Sequence, residues 1–300
     1  MKSITKYINE GFFNNVGANY KDIILDWLLG LDGIIEQNGK EEITLRRISK
    51  KQLSSIVDID NNGNIITHPS KRSTATIWTK IYPKDIDSMP DVLYFGDNLT
   101  LKLIFCDFSK SDFSKLDRLK GRLSLDIAAI EFNGCDVPNM EFLKGVKYIT
   151  SLRMYESSVK SFNGISEVKI DFIHTDHMRN TDGGNVFSTL PKISGSIFIT
   201  DCNDIKDLTY IKDSLTPTTK LNIYRCNNIT KCDLSGLTLN KISGDDSIFH
   251  IFGNPDMFPK KLKTIEFDTV KDLQRLDKIK DMIKNHYPPS VDIYCIRCRR

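Results

Sequence analysis

Long apolar runs are missing from this chain of 300 residues. A membrane-spanning helix needs about 20 consecutive apolar residues, so none is expected. A secretion signal is also missing, because Lys2 is followed by Ser3, Ile4, Thr5, Lys6 and Tyr7 where an apolar core belongs. The seven cysteines therefore read as reduced thiols of a cytosolic setting. Charge of one sign is lacking too: 42 basic residues face 39 acidic ones, mixed along the whole chain. Nucleic-acid binders gather basic residues on one face or stripe. Here only Arg297, Arg299 and Arg300 form a local basic group, so specific nucleic-acid binding is not expected.

The chemical motifs that would mark an enzyme are absent as well. Thr181-Asp182-Gly183-Gly184-Asn185 is a turn, without the preceding strand and following Lys-Ser/Thr of a phosphate loop. No Gly-x-Ser-x-Gly elbow occurs. Asp58, Asp60, Asn62 and Gly63 are spaced like the start of a calcium loop, but its closing acidic ligand is not there. Cys295 and Cys298 form a single C-x-x-C, with no second pair to complete a zinc site, and read as two reduced thiols. No catalytic residue, cofactor, metal site or small-molecule substrate is expected.

What the sequence does contain is a repeat. An apolar-x-apolar-x-x-(Cys/Asn) pattern returns at intervals of 16 to 29 residues from Leu99 onward. It fits Leu101, Leu103 and Cys106, then Ile130, Phe132 and Cys135, then Leu152, Met154 and Ser157. Ile170, Phe172 and Thr175 follow loosely; Ile197, Ile199 and Cys202, and Leu221, Ile223 and Cys226, are clean copies. Phe249, Ile251 and Asn254 continue the series, and Ile265, Phe267 and Val270 close it. Four of the seven cysteines occupy one template position. This is the strand half of a leucine-rich repeat, whose units run about 20–29 residues. The two apolar residues share one side by the period of a strand, and single units bury that side only by stacking. The pattern predicts an α/β solenoid of irregular leucine-rich-repeat-like coils with a parallel sheet on one face, over residues 99–270.

Residues 11–98 read as an N-terminal cap: a helical run through Ile23, Ile24, Trp27, Leu28 and Leu31, then short strands around a hairpin turn at Asn61-Asn62-Gly63-Asn64. Residues 271–300 read as a C-terminal cap, with a helix carrying Leu273, Leu276, Ile279, Met282 and Ile283, and a final strand VDIYCI.

Function is sought on the outward strand positions. Lys102, Glu131, Arg153, Tyr155, His174, Phe198, Asp201, Asn222, Tyr224, Arg225, His250 and Phe252 fall between or just after the inward residues. From these, Arg153, Tyr155, His174, Phe198, Asp201, Tyr224, Arg225 and Phe252 are expected to form a binding face for a protein, since Tyr and Arg recur at interface hot spots. Aromatic residues also suit exposed strands for packing alone. His174 and His177, flanked by Asp171 and Asp176, are the one cluster that could hold a metal or do acid–base work. Solvated polar residues of a repeat face are the better account, since His174 falls on an outward strand position and no third group is fixed nearby.

Residues 55–255 resemble leucine-rich-repeat-like proteins of large tailed phages. Asp60-Asn61-Asn62-Gly63 stands at their D-x-x-G turn, and Pro90-Asp91-Val92-Leu93-Tyr94-Phe95-Gly96 at their P-D-x-x-x-F-G lead-in. The regular Gly-Cys-Pro punctuation of that group is not present. Residues 1–10, MKSITKYINE, are similar to the capsid-targeting sequence of T-even-type internal head proteins, with Ile4 where that family tends to carry an aromatic. That resemblance implies cleavage after Ile8-x-Glu10, leaving Gly11 as the new terminus. Together the two imply an interaction protein packaged in the virion head, bound to capsid or scaffold. The alternatives are an effector in the host cytoplasm that binds a host protein, and a metal- or His/Asp-dependent hydrolase.

Overall fold

The computed structural model describes residues 19–37, 41–68, 75–91, 93–96, 99–108, 110–123, 126–287 and 291–297. Ile8, Glu10 and Gly11 lie outside the described residues. The protein is α/β, built on one large, mostly parallel sheet of twelve strands that does not close into a barrel.

Its chain order begins with a helix, α1 (Asn19–Gly30), then an antiparallel ribbon of β1 (Asp32–Gln37) and β2 (Glu41–Thr44). A side hairpin follows, β3 (Val57–Ile59) and β4 (Asn64–Thr67). Its turn lies where Asn61–Asn64 predicted it: Asp60 Oδ1 accepts the amides of Asn62 (2.8 Å) and Asn64 (2.9 Å), and Gly63 takes the left-handed φ of 81°. β5 (Ala75–Ile81) runs antiparallel to β1 and parallel to the strands that follow it in the large sheet. A short strand β6 (Tyr94–Phe95) joins the side hairpin.

The parallel series continues through β7 (Thr100–Cys106), β8 (Asp126–Asn133), β10 (Tyr148–Tyr155), β12 (Lys169–Asp176), β13 (Ile193–Thr200), β14 (Lys220–Tyr224), β15 (Thr238–Gly244), β16 (Lys261–Asp268) and β17 (Asp292–Ile296). A small parallel pair, β9 (Asp136–Val137) and β11 (Ser158–Val159), lies outside the large sheet. Helix α2 (Leu273–His286) packs Leu276, Ile279 and Ile283 into the core, as their three- and four-residue spacing predicts. No helix of the described residues is long and apolar enough to cross a membrane. The parallel strands extend beyond 99–270 on both sides, since β5 and β17 pair in the same direction as the rest.

The inward residues align in two columns. The first runs Leu103, Ile130, Leu152, Ile173, Ile197, Leu221, Ile242, Ile265 and Ile293. The second, two residues on, contains Phe105, Phe132, Met154, Thr175, Ile199, Ile223, Gly244 and Phe267. Short 3-10 segments between strands, such as Ser114–Leu119 and Thr209–Ser214, add Leu116, Leu119 and Ile211 to the core.

Three template assignments are corrected by this register. The β7 copy slides by two: Leu103 and Phe105 fill the columns, Phe108 stands where Cys106 was expected, and Cys106 pairs with Asn133. The β12 copy slides by three, so Ile173, Thr175 and Met178 replace Ile170, Phe172 and Thr175. Phe249 and Ile251 lie not on a strand but in and just after a 3-10 segment, Asp246–His250; the strand there is β15. Its inward Gly244 leaves no room for a side chain, since a Cβ would collide with the carbonyl oxygen of Ile223.

The turn position therefore holds three cysteines, not four: Cys135, Cys202 and Cys226, all buried. Their thiols donate to main-chain carbonyls at the strand ends, sharing Thr200 O and Tyr224 O with the amides of His177 and Asp201. Cys135 Sγ lies 3.3 Å from Phe105 O, Cys202 Sγ 3.1 Å from Thr200 O, and Cys226 Sγ 3.3 Å from Tyr224 O. Where serine takes the position, its hydroxyl accepts an amide that follows the neighbouring strand: Cys135 N to Ser157 Oγ at 3.1 Å and Cys226 N to Ser247 Oγ at 2.8 Å. Buried polar groups need such partners. Burial pushes the Cys135 thiol up to about 11. The expectation of uniformly reduced cysteines is overturned at Cys295, which is disulfide-bonded, while Cys106, Cys135, Cys202, Cys226 and Cys232 are free.

Candidate functional site

The outward face of β10, β12 and β13 carries a joined aromatic cluster. Side chains alternate along a strand, so residues between the two inward columns fall on this face. Register places Arg153, His174 and Phe198 side by side there. Tyr155 and Phe172 flank them. Phe172 and Phe198 lie 5.2 Å apart between ring centroids, His174 and Phe198 5.8 Å, and Tyr155 and His174 5.4 Å edge-on. The Arg153 guanidinium sits 5.7 Å from the Phe172 ring centroid and its Nε donates to Ser151 Oγ at 3.0 Å.

All five side chains are half-buried by one another, which leaves a contiguous, partly apolar surface. Burial lowers the affinity of His174 for a proton, with Arg153 acting in the same sense and Asp176 opposing. The ring is therefore neutral at pH 7, and its Nδ1, 3.3 Å from the Tyr155 hydroxyl, can accept from it. Burial likewise raises Tyr155 and the neighbouring Glu131.

A second group lies where the parallel strands end. The residue after each of four consecutive strands is left-handed: Glu156 (φ 48°), His177 (52°), Asp201 (51°) and Arg225 (53°). Such backbone costs about 1–3 kcal/mol per non-glycine residue. It is held because it aims each amide at the next strand: Glu156 N to Asp176 O at 2.9 Å, His177 N to Thr200 O at 3.1 Å, and Asp201 N to Tyr224 O at 3.0 Å. Arg225 N reaches Asp245 Oδ2 at 2.8 Å. The side chains then alternate in sign along the edge. Arg225 Nε donates to both oxygens of Asp201 (2.9 and 2.8 Å), which holds that carboxyl below its ordinary range. His177 Nδ1 is 2.6 Å from Asp176 Oδ1, and this bond raises its proton affinity. Arg297 and Asp268 repeat the pairing at 2.7 Å. Tyr224, Arg225, Asp245, Asp268 and Arg297 line a cleft of about 700 Å³ here.

The structure divides the residues expected on one binding face among three places. Arg153, Tyr155, His174 and Phe198 come together on the open sheet. Asp201, Tyr224 and Arg225 stand at the strand ends. Phe252 is corrected: it is fully buried, with its ring 5.4 Å from Phe258 and 6.2 Å from Phe267, because the segment is not a strand and turns inward. Asn222 is also buried, and its Nδ2 donates to Ile197 O at 3.1 Å. Phe172 belongs to the cluster although the sequence pattern placed it inward.

The His/Asp cluster is split. His174 joins the aromatic face, while Asp176, His177 and Asp201 bring three ligand atoms within 4.8 Å of one another at the strand ends. Both oxygens of Asp201 are already taken by Arg225, so a cation there would have to displace a bidentate guanidinium. No protein-family model, no curated protein and no solved structure matches this chain.

Proposed function

We propose that this chain is a non-enzymatic interaction module, an irregular leucine-rich-repeat-like solenoid capped at both ends, that binds a protein on its outward sheet face. The observation that carries the reading is the aromatic cluster of Tyr155, Phe172, His174 and Phe198 with Arg153 beside it. Rings and arginine on a rigid sheet give a large contact area at small cost in side-chain entropy, the composition of interface hot spots. Repeat arrays commonly present such extended faces to partners. The resemblances to phage proteins make that partner a capsid or scaffold component, with an effector that binds a host protein as the second choice.

A photo-crosslinking residue placed at Phe198 tests this against the same residue placed at exposed Tyr210, which lies on a return segment. Incubation with purified capsid and scaffold proteins should yield one adduct from position 198 and none from 210. Arg153→Ala with Phe172→Ala should abolish the adduct without altering the circular dichroism. Adducts of equal yield from both positions would remove the face from the account.

A further inference from the structure

The balance of charge along the chain conceals a grouping of lysines in space. At the ends of the parallel strands the 700 Å³ cleft is lined by Asp201, Asp245, Asp246 and Asp268 among its cations. At the starts of the strands the signs are different. A second cleft of about 590 Å³, between β15, β16 and the end of α2, is lined by Lys260, Lys261 and Lys263 and, among the described residues, by no carboxylate. Thr238, Asn240 and the buried Tyr287 complete its polar wall. The Tyr287 hydroxyl is fixed by donating to Pro259 O at 2.6 Å. Among the described residues, none of the three lysines forms an ion pair, unlike Lys212, Lys231 and Lys241 elsewhere on the sheet.

The same edge carries further lysines along the sheet, with exposed Glu167 two residues before Lys169. Exposed Lys147, Lys169, Lys192 and Lys220 stand at or just before the starts of β10, β12, β13 and β14. Backbone pairing fixes their order: Lys169 N donates to Lys147 O at 3.0 Å. Neighbouring strands are about 4.8 Å apart, so the row from β10 to β16 extends roughly 24 Å. Ammonium groups held this close repel one another and gain from a shared anion, although Lys169 Nζ also lies 5.4 Å from the Tyr148 ring centroid.

We propose that the lysine cleft and the row leading to it bind the phosphate backbone of a nucleic acid, without reading its sequence. The shape is a line of point charges ending in a pocket, which suits a linear polyanion. A lipid surface fits poorly, because the exposed large apolar residues among those described are Ile23, Tyr210, Tyr294 and Ile296, and none lies in this row to insert beside the lysines. Lysine, a flexible point charge, suits phosphate contact more than base recognition. The proposal is independent of the aromatic face, which the variants below leave untouched.

Fluorescence anisotropy with a labelled random-sequence DNA duplex tests it on the full chain. Binding should weaken steeply between about 50 and 200 mM salt, with a log–log slope of about −0.9 per phosphate contact. The triple variant Lys260→Ala, Lys261→Ala, Lys263→Ala should bind at least tenfold more weakly, and its slope should be shallower by about 3. The corresponding triple arginine variant should bind like the wild type, which separates charge from fold. Three results would each overturn the proposal: no binding at low salt, an unchanged slope in the alanine variant, or equal or tighter binding of polyglutamate or of anionic vesicles.

Discussion

In β7 and β8 the second inward column holds stacked rings with further rings packed behind it, whereas in β13 and β14 both columns hold branched aliphatics and the turns are closed by thiols and a hydroxyl. In the first region Phe105 and Phe132 stack at 5.2 Å, and Phe108, Phe113 and Phe142 meet them edge-on or tilted at 5.9 to 6.5 Å. In the second, Ile197, Ile199, Leu221 and Ile223 are fully buried, and Cys202, Cys226 and Ser247 close the turns. The same backbone register thus tolerates two packing solutions. A ring at the turn, Phe108, fills volume but has no polar group to satisfy backbone. A thiol or hydroxyl satisfies backbone but fills less.

The comparison is sharpest where volume is removed. Phe132→Ala should cost about 3–5 kcal/mol, because its neighbouring rings are rigid and cannot collapse into the space. Ile199→Ala should cost about 2–5 kcal/mol and fall below the phenylalanine change in a paired urea series. A larger loss at Ile199 would mean that the aliphatic region, not the ring region, anchors the sheet.

A smaller effect distinguishes the turns. Ser247→Ala removes the acceptor of the buried Cys226 amide, which should cost about 1–3 kcal/mol. If denaturation midpoints of wild type and variant coincide, the hydroxyl is not closing the turn.

The smallest expected change is in pH dependence and concerns the outward face. The proton affinity of His174 is lowered in the folded protein, mainly by burial. Below the ordinary histidine value of about 6.5 the unfolded chain takes up a proton that the folded chain refuses, so stability falls as pH drops. His177 works oppositely: its affinity is raised by Asp176, so its contribution is present in acid and lost as pH rises through its folded value. Since His177 is fully exposed, screening keeps its contribution small. His174→Phe should therefore flatten the loss in urea midpoint from about pH 8 to about pH 5.5. A variant that loses as much as the wild type would place the titration elsewhere.

Much of the large sheet was readable because the period of two is strict where inward residues are large and the turn residue is polar. Ile197-x-Ile199-x-x-Cys202 and Leu221-x-Ile223-x-x-Cys226 have a single register. LKLIF does not: Leu101, Leu103 and Phe105 all lie inward, so a template of two apolar positions can slide by two without penalty. The strand β15 escaped notice because its inward and turn positions hold Gly244 and Ser247. The apolar run around Phe249 and Phe252 drew the strand assignment to itself.

Composition, periodicity and hairpin chemistry by themselves determined a chain of short inward-facing strands, a helix after them, and an Asn-Gly turn before them. Those features depend on residues within one or two turns of each other. Only the tertiary structure decided which rows became neighbours. Stacking strand on strand joined Phe172 to Phe198, split His174 from His177, and drew lysines from five strands to one edge. Lysines scattered along a chain gather in space when successive strands carry one at the same end, and no local spacing records that.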